Sequence, residues 1–411
     1  MSGRDVKLAC VRCGAEIAGD SPWTGCPVCA ADRVTANVLP TGSPPTGVLH
    51  PQPGQPGIFA WRDLLPIAPD AEPVSLHEGN TPLLPTPSLV DGLPHLWVKD
   101  ETRNPTWSYK DRLAAVAITD ARHRGADTVA LATTGNHGAA TAAYAAAAGL
   151  RCVALTLTSV PDTMKVLMQS YGAHVVALDR PADRWALLRQ AVHAWGWVPV
   201  SGFVDPPIGS NPFGVDGYKT IAYEVVQDLG RAPDAVILPA AYGDGLVGIH
   251  RGFVDLLDMG VIDRLPRMVA VDPFGAYAAA MAAGGKDPVR VEIPGPTTAF
   301  SVATPIATHQ GLAALRDSGG TAVGPFDDAT IMAAQRSVAG RTGLYLEASS
   351  CLTIAAAEQL RSRGTLAPND VVVAIATSTG LKDVGSSAER LPDVPLVPPV
   401  LDALAEALAQ R

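Results

Sequence analysis

Residues 128–157 read TVALATTGNHGAATAAYAAAAGLRCVALTL. The stretch opens on a short apolar run, turns at TTGNHG, continues through an Ala-rich segment of high helix propensity and closes on a second apolar run, RCVALTL. Strands that are apolar at successive positions have both faces covered, as in a parallel sheet sheathed by helices. The stretch is therefore one strand–helix–strand unit. Outward from it the alternation continues, with LWVKD, HVVAL, WVPVSG, AVILP, RMVAVD and DVVVAIAT as further strands and helices predicted over 111–124, 139–148, 163–171, 185–195, 217–228 and 330–341. The fold class is α/β, with mainly parallel sheets.

Composition agrees with this reading. Of 411 residues 47% are hydrophobic, 17% charged and only 5% aromatic, so Ala and aliphatic side chains must fill the interior. The 39 Gly and 36 Pro predict many loops and turns, most densely in a Pro/Gly-rich linker over 36–75 strapped across the surface. A net charge of −9 argues against a nucleic-acid or anionic-membrane partner. The opening MSGRDVKLAC has no signal-like apolar stretch and no window approaches a membrane span, which predicts a cytoplasmic protein.

Cys10, Cys13, Cys26 and Cys29 stand as CVRC and CPVC. Two such knuckles bring four thiolates around one tetrahedral zinc, and Gly14, Gly25 and Pro27 suit the turns. A redox pair or a degenerate, metal-free site are the alternatives. With every position a Cys no coordination site is left for substrate, so the metal of this zinc ribbon, assigned to 1–35, is a folding element.

Ligands of open parallel sheets sit beyond the carboxyl ends of strands, where loops meet helix N-termini. Three such junctions stand out: TTGNHG after TVALA, AAYGDG after AVILP, and TSTG after DVVVAIA. None is a GxGxxG or Walker loop, so the signatures of dinucleotide and nucleoside-triphosphate sites are missing. Backbone N–H groups at 241–245 suit an anion, against the plainer reading of an ordinary Gly turn.

A further segment, VKDETRNPTWSYKDR (98–112), carries Lys110 at the start of a predicted helix, where a lysine is most often a solvated charge. This segment resembles the NPTGSFKDR motif of fold-type-II pyridoxal-phosphate enzymes of the threonine synthase and tryptophan synthase β type. The resemblance extends in order through HEGNTPLLP (77–85), TTGNHGAATAAYAAAAGL (133–150), PDTMKVLMQSYGAHVV (161–176), NPFGVDGYKTIAYE (211–224), LYLEASS (344–350) and TSTGLKD (377–383).

What the resemblance implies is specific. The fold would be two open twisted sheets, a large domain from 76–117 and 213–395, a small mobile substrate domain from 118–212 and a C-terminal helix or tail over 396–411. Lys110 would be the Schiff-base lysine for pyridoxal phosphate and the general base at the substrate α-carbon. Asn136 would meet the cofactor's ring hydroxyl. Ala241, Tyr242, Gly243, Asp244 and Gly245 would hold the cofactor phosphate, the Asp244 carboxylate pointing away or paired, and Thr377 would serve the pyridine nitrogen. Ser108, Thr133, Thr134 and His137 would bind a small amino-acid substrate. Homodimerisation is expected from the family. Arg112, Lys382 and Asp383 are read as structural ion-pair formers.

The activity implied is that of a threonine synthase-like lyase, with O-phospho-L-homoserine as leading substrate. Three departures point elsewhere. Trp107 stands where the motif has Gly, and either narrows the pocket or packs beneath the loop. Gly214 replaces the Arg of NPYRLEG, and His137 is the variant of serine and threonine dehydratases. The alternatives are β-elimination or β-replacement, dehydratase-like or cysteate synthase-like, and a non-catalytic cofactor-binding regulator.

Overall fold

A computed structural model describes residues 7–17, 22–42 and 50–409. Parts of the expected ribbon (1–6, 18–21), linker (43–49) and tail (410–411) lie outside the described residues.

The chain begins with a small antiparallel sheet of β1 (Leu8–Cys10), β2 (Glu16–Ile17) and β3 (Val38–Pro40), in the order β2-β1-β3. The third strand lies beyond residue 35, so the ribbon runs further than its sequence suggests. Next come β4 (Leu83–Pro85) and β5 (Leu96–Asp100), then a separate sheet from β6 (Thr128–Ala132), β7 (Arg151–Leu157), β8 (His174–Leu178) and β9 (Val198–Pro199). That sheet is parallel, in the order β8-β7-β6-β9. The chain then returns to the larger sheet with β10 (Ala235–Pro239), β11 (Arg267–Val271), β12 (Thr321–Val323) and β13 (Val372–Ala376). Its order is β12-β11-β10-β13-β5-β4, parallel except for β4 at the edge. The two mainly parallel sheets, the smaller inserted between β5 and β10 of the larger, are those expected from the sequence.

Residue type explains the layering. Every residue of β10 and β13 is buried, as strands covered on both faces require. The helices Lys110–His123 and Asn136–Ala148 pack together and are buried along nearly their whole length. Their alanines permit the close approach that the scarcity of aromatics demands. The second of these helices starts at Asn136, three residues before the segment expected to be helical, which brings the polar end of TTGNHG into its first turn. The helix expected over 185–195 likewise begins at Pro181.

The Pro/Gly-rich linker is not merely a surface strap. Its 3-10 segment Gly57–Leu64 buries Ile58, Phe59 and Trp61, and the Trp61 ring lies 5.5 Å from that of Tyr223. Pro and Gly break regular elements without preventing burial of the apolar residues between them.

One buried ion network ties the helix of Lys110 to both flanks of the large sheet. Arg112, fully buried, donates to Glu101 at 2.8 Å and to Glu224 at 2.6 Å, and Lys99 lies 2.8 Å from Glu224. This is the structural pairing the sequence suggested for Arg112.

Candidate active site

The carboxyl ends of β5, β6, β10 and β13 converge. Lys110 is the first residue of the helix Lys110–His123, with its Nζ 4.9 Å from the Tyr109 ring centroid and 5.7 Å from that of Tyr218. The two tyrosines stack at 4.7 Å, making an aromatic floor for the lysine stem. The Tyr109 amide donates to the Thr377 carbonyl at 3.0 Å, and Ser108 bridges Ser378, so the lysine loop is stitched to the end of β13.

TTGNHG caps the end of β6. The Thr133 hydroxyl accepts from the Gly135 and Gly138 amides at 3.0 and 2.9 Å, shaping the helix start, and Thr134 is half-buried beside it. Burial first, and the charge of Lys110 second, hold His137 well below its ordinary pKa, so the ring is neutral. Asn136 is locked on both sides: its Nδ2 donates to Glu347 at 2.7 Å, while its Oδ1 accepts from Lys382 at 2.8 Å and Ser378 at 3.1 Å. Lys382 is thus a site neighbour and pairs with no carboxylate among the described residues, contrary to the ion-pair role expected of it. Burial pushes its ammonium down to about 8, against the pull of Glu347 and Asp111.

The loop 241–245 leads into the helix Asp244–Asp258, whose start no side chain caps. The N–H groups of Gly243, Asp244, Gly245 and Leu246 find no acceptor among the described residues. Gly243 has φ +76, and a Cβ at Gly245 would stand 2.7 Å from the Tyr109 ring. The two residues unusual for such a loop are turned away from it. Asp244 accepts from the Ser210 amide at 2.9 Å, the Ser210 hydroxyl at 2.7 Å and Gln310 Nε2 at 2.7 Å. Tyr242 sets its ring edge-on to Trp185, 6.0 Å between centroids, while its carbonyl accepts from Thr308 and Gln310. Thr377 Oγ1 lies 2.9 Å from Ser350 Oγ, a partner that fixes its rotamer.

Trp107 is 45% exposed with φ +59. It does not pack beneath the loop, and the left-handed backbone gives the reason for Gly at this place in the motif. Gly214 is buried against Leu113 and Ala117, where a Cβ would have neighbours at 3.0 and 3.1 Å. Sequence reasoning missed Lys382, Glu347, Ser350, Ser210 and Gln310. The first three lie inside or beside LYLEASS and TSTGLKD, while Gln310 and Ser210 sit in segments with no motif.

The site suits pyridoxal phosphate on its own geometry. It has an uncapped helix N-terminus for a phosphate, a lysine on aromatic rings, and buried Ser108 Oγ and His137 Nε2 without hydrogen-bond partners. The cysteine cluster fits zinc equally well. All four Sγ atoms lie within 4.8 Å of one another, with Cys10–Cys29 at 3.6 Å and Cys13–Cys26 at 3.7 Å. A tetrahedron with Zn–S of about 2.3 Å has edges of about 3.8 Å. Amides of Arg12, Cys13 and Cys29 point at Cys10 and Cys26 sulfurs, as knuckles require. The distances exclude disulfides.

Comparison with known proteins agrees. Residues 74–378 match the family model described as pyridoxal-phosphate dependent enzyme. The chain belongs to this family, and within it is a threonine synthase-like enzyme. It is 30% identical to the threonine synthase of Methanosarcina acetivorans over 98% of each chain, and 33% identical to that of Mycobacterium bovis over 86% of this chain and 96% of the other. The structure superposes on diaminopropionate ammonia lyase from Escherichia coli with TM-score 0.64 at 20% identity, covering 77% of this chain and 88% of that one. Among the described residues no helix is long and apolar enough to cross a membrane.

Proposed function

We propose that this enzyme converts O-phospho-L-homoserine and water to L-threonine and phosphate. The observation that carries the reading is the nearness of Lys110 to the helix start at Thr133–Gly138, close enough for its charge to act on the neutral His137 of that helix's first turn. Both relatives named above are threonine synthases, one alignable over 98% of the chain.

Bound pyridoxal phosphate supplies an electron sink for the substrate's α-carbon. Lys110 Nζ would accept the proton from the substrate α-carbon and return it to a carbon further along the substrate. The amides of Thr134, Asn136 and His137 at the helix start would orient the α-carboxylate, the Thr133 amide being spent on the Leu155 carbonyl. Neutral His137 adds no competing charge beside Lys110. The amides of 243–246 would hold the cofactor phosphate, Asn136 the ring hydroxyl and Thr377 the pyridine nitrogen. Residues 118–212, which carry the smaller sheet, close over the substrate and exclude water from all but the final addition.

Phosphate and threonine measured together after incubation with O-phospho-L-homoserine test the reaction. Absence of phosphate release, with keto acid formed from serine or threonine, would establish instead a dehydratase-like elimination, the second reading. Gly214 favours that second reading, since the packing there admits no anion-binding side chain.

A further inference from the structure

Arg184 is the fourth residue of the helix Pro181–Trp195 and is 6% exposed. Its Nη1 donates to the Thr133 carbonyl at 2.8 Å, while its buried Nε has no partner. Among the described residues no carboxylate pairs with it. The other buried arginine among the described residues, Arg112, is neutralised by Glu101 and Glu224. Arg184 is therefore a desolvated cation with most of its donors unspent.

Its position is informative. On one side lies Thr133, at the helix start that faces Lys110. The next residue along the helix, Trp185, stands edge-on to the Tyr242 ring of the loop 241–245, 6.0 Å between centroids. The hydrogen bond to the Thr133 carbonyl is the one protein contact that offsets the loss of hydration at the guanidinium among the described residues. A buried, fork-shaped cation beside an amino-acid site, lacking a protein anion, is complementary to a phosphate or similar oxyanion brought by the substrate.

We infer that Arg184 is the specificity-determining residue for a second anionic group at the distal end of the substrate, a role that Gly214 cannot fill. The inference rests on the proposed reading of the site as one for a phosphorylated amino acid, and sharpens it by naming the group that recognises the phosphate.

The test uses holoenzyme and two amino acids of equal chain length, the phosphonate isostere of O-phospho-L-homoserine and L-norvaline, each titrated against the cofactor absorbance. Arg184→Gln should weaken the phosphonate on the order of 30-fold, the loss of a charge-assisted hydrogen bond, and leave L-norvaline unchanged. Arg184→Lys should retain part of the preference. In the wild type, inorganic phosphate should displace the phosphonate but not L-norvaline, a measurement independent of how the variants fold. Equal weakening of both probes would reduce Arg184 to a support of the Thr133 loop and overturn the inference. So would loss of cofactor retention in Arg184→Gln with probe preference intact, or a wild type that does not prefer the phosphonate. If the phosphonate binds through Arg184 while O-phospho-L-homoserine is not turned over, the reaction reading falls and this inference stands.

Discussion

Asn37 Nδ2 donates to Oε1 of Gln310 at 2.9 Å, joining residues 273 apart in the chain. Gln310 in turn holds the Tyr242 carbonyl and the Asp244 carboxylate at 2.7 Å each. A residue next to the last strand of the cysteine ribbon thus reaches the loop assigned to the cofactor phosphate through a single buried side chain.

Asn37→Ala should leave the Gln310 acceptor unpaired, costing about 1–3 kcal/mol of stability. The loosened loop should also release pyridoxal phosphate several-fold faster. Urea melts and cofactor absorbance during dialysis measure the two effects, and unchanged retention would separate the ribbon from the site.

Metal removal should act along the same route. Burial pushes the Cys10 thiol up to about 12, a cost that a bound cation reverses by stabilising the thiolate. Cys10→Ser should bind less than one zinc per chain and melt at lower temperature. Metal analysis with calorimetry checks this, and unchanged stoichiometry and stability would refute a structural site.

Lys110→Ala should lose the visible absorbance of the covalently held cofactor, and turnover should fall on the order of a thousandfold with loss of the general base. Spectra and single-turnover kinetics are the measurements. Retained covalent attachment would point to a different lysine.

Lys382 gives a pH prediction. Its pKa is near 8 in the folded chain against 10.5 as the ordinary value, so the unfolded chain binds the extra proton between these limits. Folding stability contributed by this group is therefore lowest below about 8 and rises as pH climbs toward 10.5, by up to about 3 kcal/mol. The groups facing it are Asn136, Glu347 and Asp111. Lys382→Met should abolish that rise, seen as the difference between wild-type and variant urea midpoints across pH.

Arg112→Ala should strand Glu101 and Glu224 in the interior and cost about 3–5 kcal/mol. A smaller shift in the denaturation midpoint would mean that Lys99 suffices at Glu224 and that Glu101 takes up a proton.

Much of the sheet architecture is legible from residue order, because β10 and β13 are apolar throughout and the Ala-rich helices repeat between strands. The split of the large sheet around the smaller one is not, since strand pairing such as β5 with β13 is set by contacts hundreds of residues apart. Lys110, the TTGNHG loop and the cysteine knuckles announce themselves by short-range pattern. Gln310, Ser210 and Arg184 do not, because each acts through long-range contacts that leave no local spacing. Trp61 shows the same limit from the other side: a Pro/Gly-rich context hides a core residue.

Asn136 starts a helix of the smaller sheet, whereas Glu347 and Lys382 belong to the larger one, and its single amide bonds to both. The two halves cannot separate without breaking those bonds together. The amide is accordingly a latch between the two sheets, one side chain whose two ends are held by residues of the other half.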